Sequence, residues 1–109
     1  LTQEVMRLPQ PPDAIFTTSD PKAFVVMHAL HDMGVRIPED VSILGFDNVS
    51  LSSMVEPPLS TVAQPLYDMG AAAAKNLVHQ IRYKEKNGEL PPPVRNVLGV
   101  DLIVRRSTR

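Results

Sequence analysis

The sequence predicts an α/β fold in which a parallel sheet is flanked by helices, and three observations carry that reading. Val41, Ile43, Leu44 and Phe46 form a short, nearly continuous apolar run, which suits a strand covered on both faces and hence a parallel sheet. A second strand-forming segment, residues 14–18, lies upstream at the separation expected of one βαβ unit, about 30 residues. Between them Ala23, Val26, Met27, Leu30 and Met33 recur at three- and four-residue steps, the spacing of one helical stripe. The apolar run ends in Asp47, and ligands of open parallel sheets bind beyond the carboxyl ends of the strands.

Taken in order, residues 1–8 place Leu1, Val5 and Leu8 at helical spacing before Pro9, Pro11 and Pro12 stop the helix. Ala14, Ile15, Phe16, Thr17 and Thr18 are strand formers bounded by Asp13 and by Ser19-Asp20-Pro21. Ser19 or Asp20 can cap the next helix with Pro21 in its first turn, and Gly34 closes it. Pro38-Glu39-Asp40 then turns the chain into the strand at Val41, and βαβ crossovers of this kind are right-handed almost without exception.

Residues 48–58 read as a Ser- and Pro-rich loop anchored by Leu51, Met54 and Val55, with room for one helical turn. Residues 59–63 read as a brief extended segment, after which Gln64-Pro65 repeats the cap-plus-proline start. The helix that follows runs from Pro65 to about Lys86, with Leu66, Met69, Ala73, Leu77 and Ile81 on one stripe and small residues at Gly70 and 71–74. Two strands and one helix cannot cover both stripes, so further sheet or a partner is expected. Pro91-Pro92-Pro93 is a stiff link, and residues 97–104 read as one or two strands ahead of a charged end.

Composition narrows the function classes. At 109 residues the chain is one domain or less, and Leu1 reads as a cut end. Its 43% hydrophobic and 21% charged residues are ordinary globular values. A net charge of −1 argues against direct binding to nucleic acid or to an anionic membrane, and no apolar run reaches the roughly 20 residues that span a bilayer. With no cysteine, disulfides and thiolate metal sites are excluded.

Four residues are candidate ligand contacts. Asp47 offers two acceptor oxygens suited to a ligand's hydroxyls, against the plainer reading of a loop cap. Asp20 lines the same strand-end edge or caps its helix, capping being the commoner use of Asp before Pro. Gln64 reaches either the ligand or the free amides of the following helix, and Ser19 is the fourth candidate. His28, His31 and His79 lack a third ligand and read as surface residues, so no metal or cofactor is expected. Neither a Gly-x-Ser-x-Gly elbow nor a Gly-rich phosphate loop is present, which leaves catalysis without visible machinery. Arg105, Arg106 and Arg109 read as a solvated terminus.

The same motifs carry a family resemblance. Asp13-Ala14-Ile15-Phe16, Ser19-Asp20-Pro21 with Ala23, and the unbroken stretch from Gly34 to Gly45-Phe46-Asp47 stand in series with Pro57-Pro58-Leu59-Ser60-Thr61-Val62, Gln64-Pro65, Gly70 with Ala73, and Val104-Arg105-Arg106-Ser107-Thr108. In order and spacing the chain resembles the carboxyl-terminal part of bacterial transcription regulators of the LacI/GalR family. The resemblance implies part of the periplasmic-binding-protein type I fold, two α/β subdomains joined by hinge crossover segments around a small effector, here a sugar or sugar derivative. It implies that residues 1–62 and 97–109 belong mainly to the carboxyl-terminal subdomain, and that the helix within 63–90 belongs to an amino-terminal subdomain otherwise absent. It further implies a cytoplasmic homo-oligomer, a dimer, that meets DNA only through an absent amino-terminal domain.

The family usually has Asn at the position of Ser19, often Met at Lys22, commonly Gly near Val25, and frequently a second Asp at Asn48. The first change shortens a ligand hydrogen-bonder; the last keeps hydrogen bonding and removes a charge. Three rivals stand beside this reading: a transport-type sugar-binding protein of the same fold, a small α/β enzyme using Asp47 or Asp20 as acid or base, and a module whose open helix stripe drives self-association.

Overall fold

The computed structural model describes residues 1–109. In chain order the elements are α1 (Thr2–Met6), β1 (Ala14–Phe16), α2 (Asp20–Asp32), β2 (Ser42–Phe46), a 3₁₀ turn (Ser50–Ser53), β3 (Ser60–Ala63), α3 (Leu66–Asn87) and β4 (Asp101–Ile103). They fall into two compact units, Leu1–Gln64 with Asp101–Arg109, and Pro65–Val100.

In the first unit the strands form one sheet in the order β1-β2-β3-β4. The first three are parallel, with Phe16 opposite Leu44 and Leu44 opposite Ser60, while β4 runs antiparallel to β3 with Ile103 opposite Thr61. An antiparallel edge strand on an otherwise parallel sheet is a common variant. The core joins Ala23, Met27 and Leu30 of α2 to Val41, Ile43 and Leu59. Of the expected stripe, Ala23, Met27 and Leu30 are buried and Val26 packs partly buried against them, whereas Met33, the C-cap residue, lies outside this cluster. The expectation that β2 is covered on both faces needs correcting: Ile43 and Gly45 are buried on the α2 side, whereas Ser42, Leu44 and Phe46 opposite them are half-exposed.

Both ends of α2 follow local rules. Ser19 is the N-cap residue in extended conformation and Pro21 occupies the first turn, where its missing donor is harmless. At the other end Gly34 takes φ +69°, its amide donates to the His31 carbonyl (2.9 Å), and the Val35 amide donates to the Leu30 carbonyl (3.0 Å). These paired bonds form a Schellman stop, with Val35 folded back onto the core. The turn into β2 is held by Asp40, whose carboxylate accepts from the Arg36 amide (2.9 Å), Nε (2.9 Å) and Nη2 (2.6 Å).

Asp20 differs from its expected use as a cap. Its side chain makes no cap bond; it is fully buried and turned across the sheet, accepting from Ser52 Oγ (2.5 Å), Thr61 Oγ1 (2.6 Å) and the Val49 amide (2.9 Å). One carboxylate thus ties α2, the 3₁₀ turn and β3 together. Gly45 is where it is because of this arrangement: a Cβ there would collide with Asp20 Oδ1 and lie 2.8 Å from Leu59 Cδ2. The loop after β2 is accordingly anchored by buried Ser52, while the expected anchors Leu51 and Met54 are 50% and 74% exposed; Val55 alone packs on the core.

The chain end closes the sheet. Ser107 is fully buried, and its hydroxyl donates to the Ile43 carbonyl (2.6 Å) and accepts from the Ser60 amide (2.8 Å). Its own amide donates to the Pro58 carbonyl (3.0 Å), and its carbonyl accepts from the Ile43 amide (2.7 Å). Ser107 therefore fills the gap between β2 and β3 before their own ladder begins.

In the second unit α3 spans 22 residues and ends at Gly88, φ +80°, whose amide donates to the Lys84 carbonyl (2.8 Å). Pro65, not Gln64, is its N-cap residue, and no side chain caps it. No α3 residue is buried, and Leu66, Met69, Leu77 and Ile81 are all exposed. Residues 90–100 contain no helix or strand, so the predicted strand content at 97–104 reduces to β4. No helix is long and apolar enough to cross a membrane.

Two predictions follow from these contacts. Asp20→Ala strands two buried hydroxyls and an amide, and should lower stability by about 3 kcal/mol or more in urea unfolding; Gly45→Ala should cost about 1–3 kcal/mol by overpacking the same point. Unchanged unfolding midpoints would contradict the packing described. Hydrogen bonds from the Arg36 side chain, then from its amide, hold the Asp40 carboxyl at about 2 against an ordinary 3.8. Because the folded value is the depressed one, this turn's contribution is complete above the ordinary value and is lost as pH falls through about 2. Carbon-detected NMR titration should give that midpoint for Asp40, and Arg36→Gln, which keeps only the backbone amide bond, should raise it toward the ordinary value.

Candidate functional site

Because β1, β2 and β3 are parallel neighbours, the residues that follow them emerge side by side at one edge of the sheet. Ser19 follows β1, Asp47 follows β2 and Gln64 follows β3, and all three are half-buried. This is the edge at which open parallel sheets bind ligands.

Asp47 sits at φ +107° and Asn48 at φ +53°, two successive non-glycine residues with positive φ. Such backbone is costly and persists only where its surroundings impose it. Here the amide of Asp47 donates to the Val62 carbonyl (2.9 Å), that of Asn48 to Thr61 Oγ1 (3.3 Å), and that of Val49 to Asp20 Oδ2 (2.9 Å). The resulting turn aims the Asp47 side chain at Gln64, whose Nε2 donates to Asp47 Oδ1 (2.6 Å). A carboxylate only accepts, so this bond fixes the amide's orientation and leaves Gln64 Oε1 as a further acceptor. Asp47 Oδ2 takes no protein donor.

Ser19 is held by its backbone: its carbonyl accepts from Thr17 Oγ1 (3.0 Å) and the Ala23 amide (3.1 Å), and its hydroxyl makes no cap bond. The structure therefore brings Asp47 and Gln64 into direct contact and places Ser19 on the same edge. Asp20 is instead fully buried, with both oxygens engaged by protein donors. Beside Asp47, Phe46 meets the exposed ring of Phe16 edge-to-face at 6.5 Å. The edge thus offers acceptors, an amide donor and a hydroxyl next to an aromatic surface, a set suited to a polyhydroxylated molecule.

Sequence reasoning missed Arg105. It is half-buried, and its Nη1 donates to the Leu59 carbonyl and its Nη2 to Asn48 Oδ1, each at 2.7 Å. Arg106 and Arg109 are exposed as expected, the first paired with Glu56 (2.8 Å) and the second donating to the Glu39 carbonyl (3.0 Å). Nothing in the local pattern separates the three arginines.

Comparison with known proteins agrees with this fold. The family described as periplasmic binding protein-like domain matches residues 1–108. The HTH-type transcriptional repressor CytR of Escherichia coli K12 is 38% identical over 107 residues, covering 98% of this chain and 30% of the repressor. The solved complex of the transcriptional regulator CelR with cellobiose superposes with a TM-score of 0.84 at 37% identity, covering 97% of this chain and 31% of that one. A LacI family transcriptional regulator from Enterococcus faecalis V583 with bound ribose gives 0.79 at 37% identity, over 98% of this chain and 39% of that one. The chain thus spans about a third of the length of the proteins it matches. On the extent of the family match and the shared fold, the chain belongs to the periplasmic binding protein-like domain family and corresponds to the carboxyl-terminal part of that domain as LacI-family transcription regulators carry it.

Proposed function

We propose that this chain forms the carboxyl-terminal part of the effector-binding domain of a sugar-responsive, DNA-binding transcription regulator acting in the cytoplasm. The observation that carries the reading is the Asp47–Gln64 pair, held at the carboxyl edge of a parallel sheet with Asp47 Oδ2 open to a ligand. Solved relatives described with cellobiose and with ribose support a sugar as the ligand class. In this reading residues 1–62 and 97–109 belong mainly to the carboxyl-terminal subdomain, residues 59–63 serve as a hinge crossover, and the helix within 63–90 belongs to the amino-terminal subdomain. The cleft's second wall comes from that subdomain, so the 109-residue chain alone binds effector weakly.

The mechanism assigns the chain no catalytic step. Effector held between the two walls favours the closed arrangement by its differential affinity, and closure changes how the subunits of a homodimer present their separate DNA-binding heads. Asp47 accepts hydrogen bonds from ligand hydroxyls, Gln64 both orients Asp47 and accepts in turn, and Ser19 adds a short donor.

The test is calorimetric titration of the regulator carrying this chain with a panel of mono- and disaccharides. Asp47→Ala should weaken the sugar that binds by about 100-fold, the value of hydrogen bonds to a charged acceptor, while light scattering and circular dichroism report an unchanged, folded assembly. Undiminished affinity in Asp47→Ala would overturn the assignment.

A further inference from the structure

The position of Asp47 depends on the left-handed turn at Asp47-Asn48, and the three backbone amides of that turn do not account for the Asn48 side chain. Asn48 Oδ1 accepts from Arg105 Nη2 (2.7 Å), while Nη1 of the same guanidinium donates to the Leu59 carbonyl (2.7 Å). Arg105 is itself fixed on β3: its amide donates to Ser60 Oγ (2.8 Å), and that hydroxyl also contacts Thr108 Oγ1 (2.7 Å). The ion pairs of the chain do not include Arg105. Its planar fork therefore acts on two neutral acceptors, one on the residue just before β3 and one on the turn, and a rigid fork fixes the distance between them as a flexible ammonium cannot. Arginine being donor-only, the contact also fixes the orientation of the Asn48 amide.

We propose that Arg105 is a positioning residue of the effector site, its guanidinium clasping Asn48 to the start of β3 so that the turn holds Asp47 against Gln64. The proposal rests on reading Asp47 and Gln64 as effector contacts, and it goes beyond that reading by giving a role to the segment that follows β4. Loss of the clasp frees Asn48 to leave positive φ, and Asp47, the residue before it, moves with it. Asn48→Asp keeps an acceptor at the same place and adds a charge that strengthens the bond. Arg105→Lys keeps one contact of the two.

Two measurements decide this. In the 109-residue chain, amide hydrogen exchange by NMR should quicken about tenfold at Asn48 and Val49 in Arg105→Gln, the effect of one lost charge-assisted hydrogen bond. The Thr17 amide, which donates to the Leu44 carbonyl on the far side of β2, should keep its rate. In the regulator carrying the chain, Arg105→Gln should weaken sugar binding about tenfold, Arg105→Lys less, and Asn48→Asp not at all. Unchanged exchange at Asn48 and Val49 in Arg105→Gln overturns the clasp, and quickened exchange with unaltered affinity overturns its role at the site. Normal binding by Asp47→Ala instead overturns the effector reading and the affinity half of the proposal, while the exchange result still judges the clasp by itself.

Discussion

A carboxylate taken out of water must be met by donors, and Asp20 is met by a backbone amide and two hydroxyls drawn from three separate stretches of chain. Its place in the first turn of α2 adds the favourable field of the helix amino terminus. Much of the first unit follows from this contact. Gly45 is confined to a residue without Cβ because Asp20 and Leu59 occupy the space a side chain would need. Thr61 stands between Asp20 and the Asn48 amide, so the hydrogen bonds that satisfy the buried acid continue into the turn that presents Asp47. Asp47, the proposed ligand contact, is strained and half-exposed, and the turn that carries it is held by the buried group beneath it.

The segment after β4 closes the same structure from the other side. Ser107 fills the unpaired stretch between β2 and β3 with four hydrogen bonds, and two residues earlier Arg105 reaches the turn. Residues far apart in sequence, 47–48 and 105–107, are thereby joined through the first residues of β3. The turn is held from below by Asp20 and from the side by Arg105.

What the sequence made legible was what local rules govern. The α2 stripe of Ala23, Met27 and Leu30, the Gly34 stop, the strands at Ile15 and Ile43 and the emergence of Asp47 from β2 all follow from periodicity and punctuation, and the structure has them. Polar tertiary contacts were not legible. Asp20 before Pro21 has the signature of a cap, but its partners Ser52 and Thr61 lie 32 and 41 residues away, and no spacing rule points to them. Leu51 and Met54 looked like anchors because they are apolar, yet the buried acid made Ser52 the better one. Gln64 before Pro65 likewise resembles a cap, and the nearby Asp47 carboxylate draws its amide away. Arg105 carries no local mark that separates it from Arg106. In each case a buried or strained acceptor outcompeted a solvated local partner.

The site and the fold are therefore one arrangement: parallel strand ends bring Ser19, Asp47 and Gln64 to a single edge, and a buried polar network sets the angle at which Asp47 leaves its strand. The most direct measurement is a crystal structure of the regulator carrying this chain with its sugar bound. The account predicts a ligand hydroxyl at about 2.5–3.0 Å from Asp47 Oδ2, with the Asp47–Gln64 bond and the positive φ at Asp47 both retained. A sugar bound in the cleft without contact to Asp47, or a turn that relaxes to negative φ on binding, would contradict it.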